Sequence, residues 1–151
     1  MKAQFLHEAL TFSVIGGFFE VHKYLGFGLL EHHYMQALEI ELRARGHQVG
    51  REVYVPVSYK AHNIGRLRLD MVVDEKLVVE GKAGFELHKS AKAQVYSYLK
   101  ATHLEVGLLL HFGPEANFYR LDFRHSDRGH EHQEQGIHRI NPIQEIPTID
   151  P

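Results

Sequence analysis

The pattern of hydrophobic and polar positions predicts two helices followed by a strand in the first 60 residues. The segments "FLHEALTFSVIGGFFEVHKYLG" (5–26) and "LLEHHYMQALEIELRARG" (29–46) have helical spacing, and both end at glycines. The second is also rich in strong helix-forming residues. From Val53 to Lys60 apolar and polar residues alternate, which predicts a half-buried strand. Pro56 favours an edge position or a bulge for this strand.

The middle of the chain predicts two more strands and a third helix. "AHNIG" (61–65) predicts a turn, after which "RLRLDMVV" (66–73) alternates again. Its odd-numbered apolar residues are expected on one face and its charged residues on the other. "DEK" (74–76) predicts a polar hairpin loop and "LVVEGKA" (77–83) the return strand. "ELHKSAKAQVYSYLKATH" (86–103) returns to helical spacing, with apolar residues four apart.

Two further segments complete the predicted domain. "EVGLLLHF" (105–112) is continuously apolar, which is typical of a strand covered on both faces, and "ANFYRLDF" (116–123) predicts a short edge strand. Polar and proline-spaced residues at 125–151 predict a flexible, acidic, histidine-containing tail. We therefore predict a single α/β domain over residues 1–124, with a mixed sheet flanked by helices.

Composition and charge narrow the possible functions. The 151 residues include no cysteine, which excludes disulfides, a thiolate nucleophile and cysteine-ligated zinc. The formal net charge is −2, and the excess of acidic residues lies in the predicted tail, so the rest of the chain is close to neutral. Any polyanion must therefore bind to a local patch of basic residues. The apolar run "ALTFSVIGGFF" is too short to span a bilayer, and no cleavage-site pattern follows it. We predict a soluble cytoplasmic protein.

Two carboxylates are expected to face each other in the predicted hairpin. If residues 74–76 form a three-residue turn, Asp70 lies directly across from Glu80. Opposed carboxylates repel, and a divalent cation between them would explain this cost. Lys82 leaves the same face of the strand as Glu80. These residue types together predict a phosphodiester-cleaving site with Mg²⁺ or Mn²⁺, in which the lysine positions water or offsets charge.

Other polar residues are expected near this site. Glu31 leans toward the apolar stripe of its own helix and therefore needs a partner such as a metal ion or a lysine. Gln94 and Tyr98 are four residues apart and share a helix face. Four basic residues are expected to contact the nucleic-acid backbone without sequence specificity: Arg66, Arg68, Lys89 and Lys92.

Each of these features also has a purely structural interpretation. Glu80 and Lys82 would suit the solvent face of an edge strand. Glu31 would suit the first turn of a helix, where the helix dipole stabilises a carboxylate. Gln94 and Tyr98 would suit the boundary and the core of an amphipathic helix.

The 13 histidines suggest a different, transition-metal site. Adjacent histidines such as His32 and His33 point about 100° apart on a helix, so they do not share one ion well. "HEH" (130–132) lies in the predicted tail, and His22 is expected to be a surface or capping residue. We therefore do not predict a histidine-based site.

The order of these motifs carries a family resemblance. "GLLEHHY" (28–34) matches a G-x-x-E-x-x-Y signature, followed by Asp70, Glu80-x-Lys82 and Gln94-x-x-x-Tyr98. Over residues 8–123 the chain resembles the GxxExxY proteins, a branch of the PD-(D/E)xK nuclease-like superfamily. The resemblance implies a restriction-endonuclease-like α-β-β-β-α-β core with an extra N-terminal helix. It also implies a metal-dependent nuclease, with DNA as the expected substrate.

The resemblance further implies roles for the site residues. Asp70 and Glu80 would ligate Mg²⁺ or Mn²⁺, joined by Glu31, and Lys82 would orient or activate the attacking water. Gln94 and Tyr98 would position the substrate phosphate or the lysine.

The chain departs from the family pattern at two positions. Gly81 replaces a bulky apolar residue, so we expect a weaker strand and a looser site. Leu69 stands where the motif has proline. The alternative is a catalytically inactive nuclease-fold domain that binds nucleic acid or a protein partner. A homodimer through the edge strand at 53–59 is also compatible with the sequence.

Overall fold

The computed structural model of the protein describes residues 5–125, in which three helices and five strands follow one another. The elements are α1 (Glu8–Leu25), α2 (Glu31–Ala44), β1 (Val49–Tyr59), β2 (His62–Val73), β3 (Leu77–Ala83), α3 (Ala91–Ala101), β4 (Val106–Phe112) and β5 (Ala116–Asp122). Among residues 5–125, no helix is long and apolar enough to cross a membrane. Apart from His125, the predicted tail lies outside the described residues.

The five strands form one mixed sheet in the order β1-β2-β3-β4-β5. Strands β3 and β4 are parallel, and α3 makes the crossover between them, while the other neighbours are antiparallel. The predicted α/β fold is therefore confirmed, including the edge positions of β1 and β5. Pairing of the β1 edge with a second copy stays a prediction.

The helices cover both faces of the sheet. On one face, α1 and α2 pack residues such as Phe18 and Leu38 against Met71 and Val73. On the other, α3 packs Val95 and neighbouring residues against the strands. Strand β4 is buried along its whole length, as its continuous apolar sequence predicts.

Two predictions of local structure are wrong. The chain turns at Lys60 and Ala61, both with positive φ (45° and 68°), and β2 already begins at His62, so "AHNIG" is mostly strand. The ladder with β1 supplies backbone hydrogen bonds that outweigh the local turn preference of these residues. The third helix begins only at Ala91, because Ser90 is held in a turn by hydrogen bonds to the His88 ring.

The hairpin of β1 and β2 changes face in its middle. Met71 and Val73 pack on the α1–α2 side, whereas Leu69 packs on the α3 side, so the predicted single apolar face of β2 is wrong. The change occurs beside Glu52, which has a positive φ of 50° and interrupts the regular alternation. Asp70 therefore lies where the hairpin turns toward α3.

Strands β2 and β3 pair over a short distance and then separate. The pairs are Met71 with Val79, Val72 with Val78 and Val73 with Leu77, so the three-residue loop and the register predicted for the hairpin are confirmed. Beyond them β3 continues alongside β4 as far as Ala83. The separation of β2 from β3 opens a cleft in the sheet.

Candidate active site

The cleft beside β3 has a volume of about 360 Å³ and combines side chains from α2, β2, β3 and α3. Its lining residues are Glu31, Arg66, Leu67, Arg68, Asp70, Glu80, Lys82, Gln94, Ser97 and Tyr98. Most of the residues predicted for the site thus meet in one place, although they span 68 positions of the chain from Glu31 to Tyr98.

Three carboxylates converge at the base of the cleft. Glu31, Asp70 and Glu80 each offer an oxygen atom, and these atoms lie within 4.8 Å of one another. Glu80 is 2% exposed and Asp70 is 9% exposed, so little water is present to screen their repulsion. Such a cluster requires protons or a cation to offset its charge.

The Glu80 carboxylate is only half satisfied. Its Oε1 lies 3.1 Å from Lys82 Nζ, whereas its Oε2 is buried and has no hydrogen-bond partner within residues 5–125. Burial and then the charge of Asp70 raise the pKa of Glu80 to about 8, although Lys82 acts in the opposite direction. A buried carboxylate oxygen that has no hydrogen-bond donor is suited to be a ligand of a cation. The cluster therefore fits a hard metal ion.

Neighbouring charges also set the ionisation of Glu31 and Lys82. Burial, followed by the charge of Asp70, raises the pKa of Glu31. Burial by itself lowers the pKa of Lys82, but the charge of Glu80 and their hydrogen bond outweigh it, so that the pKa is raised. Lys82 is therefore a charged ammonium group at neutral pH, which suits it to stabilise negative charge and not to accept a proton.

Asp70 connects the two sides of the cleft. Its Oδ2 accepts a 3.4 Å hydrogen bond from the Gly81 backbone N–H, across the gap between β2 and β3. Its Oδ1 lies 3.8 Å from the Arg68 guanidinium at the mouth of the cleft. Asp70 and Glu80 occupy the next opposed positions after the last β2–β3 pair, as the hairpin register predicts.

Helix α3 contributes a hydrogen-bonded pair to the opposite wall. The Gln94 side-chain amide donates to the Tyr98 hydroxyl over 2.7 Å, so the two side chains share a face as predicted. Burial, followed by the charges of Glu80 and Asp70, raises the pKa of Tyr98. The phenol therefore keeps its proton, and because it accepts from Gln94 it can donate this proton into the cleft.

The three positions of the G-x-x-E-x-x-Y motif have separate structural tasks. Gly28 has a φ of 119° and allows the chain to turn before α2. Glu31 is the first residue of the helix, and Tyr34 in the same turn is fully buried, with its ring stacked on Phe112 at 4.5 Å. The Tyr34 hydroxyl donates to the Gly26 carbonyl and so holds the preceding loop. Together they fix the entry of Glu31 into the cleft.

Gly81 tightens the site, contrary to the expectation that it loosens the strand. It is buried, and a Cβ at this position would overlap Met35 Sδ and lie 3.2 Å from Met35 Cγ. The glycine therefore lets α2 approach β3 closely. Met35 is one turn after Glu31, so this contact also sets the depth at which Glu31 enters the cleft. Sequence reasoning missed Met35 because a contact between distant segments has no local signal.

Two predicted nucleic-acid contacts lie away from the cleft. The ammonium group of Lys92 lies over the Tyr119 ring, 4.3 Å from its centroid, and Lys89 is exposed and outside the cleft lining. His22 contacts the Gly113 carbonyl at 2.7 Å and so supports the β4–β5 turn. The rings of His32 and His33 lie 4.1 Å apart on the exposed side of α2. Residues 130–132 lie outside the described region.

A second polar network, which the sequence does not indicate, lies outside the cleft and joins α1 to the α2–β1 and β2–β3 loops. Ser13 Oγ is 2.7 Å from His47 Nε2, and His47 Nδ1 is 2.7 Å from Asp74 Oδ2. The other Asp74 oxygen accepts the Gln48 N–H at 2.8 Å. The order resembles a serine-hydrolase triad, but Ser13 lies inside α1, where helix hydrogen bonds engage the nearby N–H groups that would otherwise form an oxyanion hole. We interpret the network as a brace between α1 and two loops.

Comparison with known proteins agrees with this geometry. The model of the PD-(D/E)XK nuclease superfamily matches residues 8–121, which run from α1 into β5 and include every residue of the cleft. Neither a curated protein nor a solved structure matches the chain significantly. From this match and the fold, the chain belongs to the PD-(D/E)XK nuclease superfamily.

Proposed function

We propose that this protein is a metal-dependent nuclease that hydrolyses phosphodiester bonds of DNA in the cleft between β2 and β3. One observation carries the proposal: three carboxylates and a charged lysine converge around a buried Glu80 oxygen that lacks a donor. Membership of a nuclease superfamily supports the same chemistry. The placement of Gly28, Glu31 and Tyr34 supports assignment to the GxxExxY branch.

Glu31, Asp70 and Glu80 would hold the metal ion, which we propose to be Mg²⁺ or Mn²⁺ because hard cations prefer carboxylate oxygens. When bound, such an ion supplies positive charge to phosphate oxygens and makes water more acidic. Glu80 must lose its proton to act as a ligand, and its pKa of about 8 means that this loss occurs near neutral pH.

Lys82 would act as a fixed positive charge. Its ammonium group is anchored 3.1 Å from Glu80 Oε1 and faces the cleft. Negative charge grows on the phosphate oxygens during hydrolysis, and a preorganised cation stabilises it. The raised pKa of Lys82 keeps this charge in place, so its role is to orient water and substrate and not to act as the base.

The remaining residues would position the substrate. The Tyr98 hydroxyl, supported by Gln94, offers a proton to a phosphate oxygen from the α3 wall. Arg66 and Arg68 lie at the mouth of the cleft, where they would bind backbone phosphates regardless of sequence.

A cleavage assay tests this proposal. Labelled single- and double-stranded DNA and RNA would be incubated with Mg²⁺, Mn²⁺ or EDTA and with the wild-type, Lys82→Ala, Asp70→Asn or Lys76→Ala protein. We expect metal-dependent cleavage of DNA that falls at least about 100-fold in the first two variants. Lys76 is exposed in the β2–β3 turn, outside the cleft, so its variant serves as the matched control.

Circular dichroism would establish that each variant is folded. Full activity in Lys82→Ala would refute the assigned mechanism. A folded wild-type protein that cleaves no substrate with either metal would support the alternative of an inactive domain that binds nucleic acid or protein.

A further inference from the structure

The outer part of the β1–β2 hairpin projects beyond the rest of the sheet. In the described sheet β2 pairs with β3 only at Met71–Val73, whereas β1 and β2 remain paired as far as Tyr59 and His62. We call residues 53–69 the β1–β2 arm. Its base is buried against α3, whereas all residues of its tip, 59–66, are exposed.

The β1–β2 arm is a local positive patch on a near-neutral protein. It contains Lys60, Arg66 and Arg68 but no acidic residue, whereas the whole chain has 17 basic and 19 acidic side chains. The Arg66 guanidinium lies over the Tyr54 ring, 4.1 Å from its centroid, which holds the charge on the arm surface. Arg68 lies at the mouth of the cleft. Its guanidinium lies 3.7 Å from Glu52 and 3.8 Å from Asp70, so the net positive charge of the arm is carried by Lys60 and Arg66 near the tip.

The tip also exposes apolar groups that the fold does not use. Tyr59 is 58% exposed and Ile64 is 64% exposed, and they lie on opposite sides of the turn. Exposed apolar side chains next to cations suit a surface that contacts both phosphates and base edges. The buried base gives this surface a fixed position relative to the cleft.

We propose that the β1–β2 arm enters the major groove of duplex DNA whose backbone lies in the cleft, so that the substrate is double-stranded. This inference rests on the proposed function. The major groove of B-form DNA admits a two-stranded β-ribbon, whereas that of an RNA duplex is too deep and narrow for side-chain contact. The structure thereby favours a DNA duplex over both single strands and double-stranded RNA.

The length of the arm sets the size of the contact. Ile64 is six residues from Asp70, and at about 3.3 Å per residue it lies about 20 Å from this carboxylate at the base of the cleft. At about 3.4 Å per base pair, this distance corresponds to roughly six base pairs. The duplex must therefore continue for roughly six base pairs on one side of the bound phosphate.

The test measures binding without cleavage. Fluorescence anisotropy in EDTA would compare a labelled DNA duplex, an RNA duplex and a DNA single strand, each of about 20 nucleotides. The test variant is Lys60→Ala, whose side chain is outside the cleft lining, and the control is Lys76→Ala, which removes an exposed lysine outside both the arm and the cleft. A third variant, Ile64→Ser, removes the apolar group of the tip without changing the charge.

We expect the wild type to bind the DNA duplex most tightly. The Lys60→Ala variant should lose about 3- to 10-fold in duplex affinity. The slope of log affinity against log salt concentration should fall in magnitude by about 1, since one phosphate contact is lost. Ile64→Ser should weaken duplex binding without a change of slope, because an apolar contact releases no counterion.

Other outcomes separate this inference from the proposed nuclease activity. An unchanged salt slope in Lys60→Ala, an equal loss of affinity in the Lys76→Ala control, or an equal loss on the single strand would each overturn the arm proposal. If the protein cleaves DNA with metal but its arm variants bind the duplex as the wild type does, the proposed nuclease activity stands and the arm proposal fails. If the arm variants bind the duplex more weakly but the wild type cleaves no substrate, the arm proposal stands and the proposed nuclease activity fails.

Discussion

Replacing Glu80 with glutamine should stabilise the metal-free protein and abolish its response to metal. The substitution keeps the size of the side chain but removes a charge that is buried beside Asp70 and Glu31. The neutral amide has no like-charge repulsion, and it can donate a hydrogen bond toward the two neighbouring carboxylates. Its cost is the loss of the ion pair with Lys82.

The pKa of Glu80 sets the size and the pH window of the effect. Its folded-state pKa is about 8, above the ordinary value of 4.5, so its contribution to stability is fully present below about pH 4.5. This contribution is lost as the pH rises toward 8, by on the order of 3 kcal/mol at pH 7. This pKa already includes the opposing effect of Lys82, so Glu80→Gln should be more stable than the wild type by about 3–4 kcal/mol at pH 8 and nearly equal at pH 5.

The assay is denaturant unfolding followed by circular dichroism at pH 5 and pH 8. In EDTA the variant should have the higher midpoint at pH 8. Added Mg²⁺ should stabilise the wild type by mass action and leave Glu80→Gln nearly unchanged. Glu86→Gln, at an exposed position, is the control and should match the wild type under all conditions.

A single result would refute this reasoning. If Glu80→Gln is less stable than the wild type at pH 8 in EDTA, the buried carboxylate is already satisfied without metal. The unpartnered oxygen would then not mark a cation site.

Three further predictions concern the supports of the site, each measured by denaturant unfolding. Gly81→Ala should destabilise the protein by about 1–3 kcal/mol through overlap with Met35, and should cost less when introduced together with Met35→Ala. Tyr34→Phe should cost about 1–2 kcal/mol, because backbone groups of the α1–α2 loop lose their partner. Asp74→Asn should cost about 1–2 kcal/mol by weakening the brace through His47.

Each of these predictions has its own contrary result. Equal costs of Gly81→Ala in both backgrounds would show that Met35 does not limit the approach of α2. Wild-type stability of Tyr34→Phe would mean that the loop is held by other contacts. If Asp74→Asn unfolds at the same denaturant concentration as the wild type, the network of Ser13, His47 and Asp74 does not stabilise the fold.

Most of the fold was predictable because the hydrophobic period marks each element. The length of the 74–76 loop was enough to place Asp70 across from Glu80, since pairing in a hairpin follows from the size of its turn. The spacing of Gln94 and Tyr98 likewise placed both on one face of α3. These are local relations, which a sequence states directly.

The missed features depend on contacts between distant segments. The change of face beside Glu52 requires a left-handed backbone conformation that a glutamate seldom adopts, so residue type gave no indication of it. The role of Gly81 depends on Met35, which lies 46 positions earlier. Helix spacing likewise gives no sign that the Lys92 side chain reaches Tyr119 on β5.

The parallel pairing of β3 with β4 has a consequence for synthesis of the protein. Every residue that lines the cleft precedes position 99, yet β3 gains its second neighbour only when β4 (106–112) has been translated. A nascent chain on the ribosome would thus carry all the chemical groups of the site before the strand that holds Glu80 and Lys82 has its second neighbour. A fragment ending at residue 103 should therefore remain protease-sensitive with Mg²⁺; a protease-resistant fragment would contradict this. The translation order itself delays assembly of the cleft.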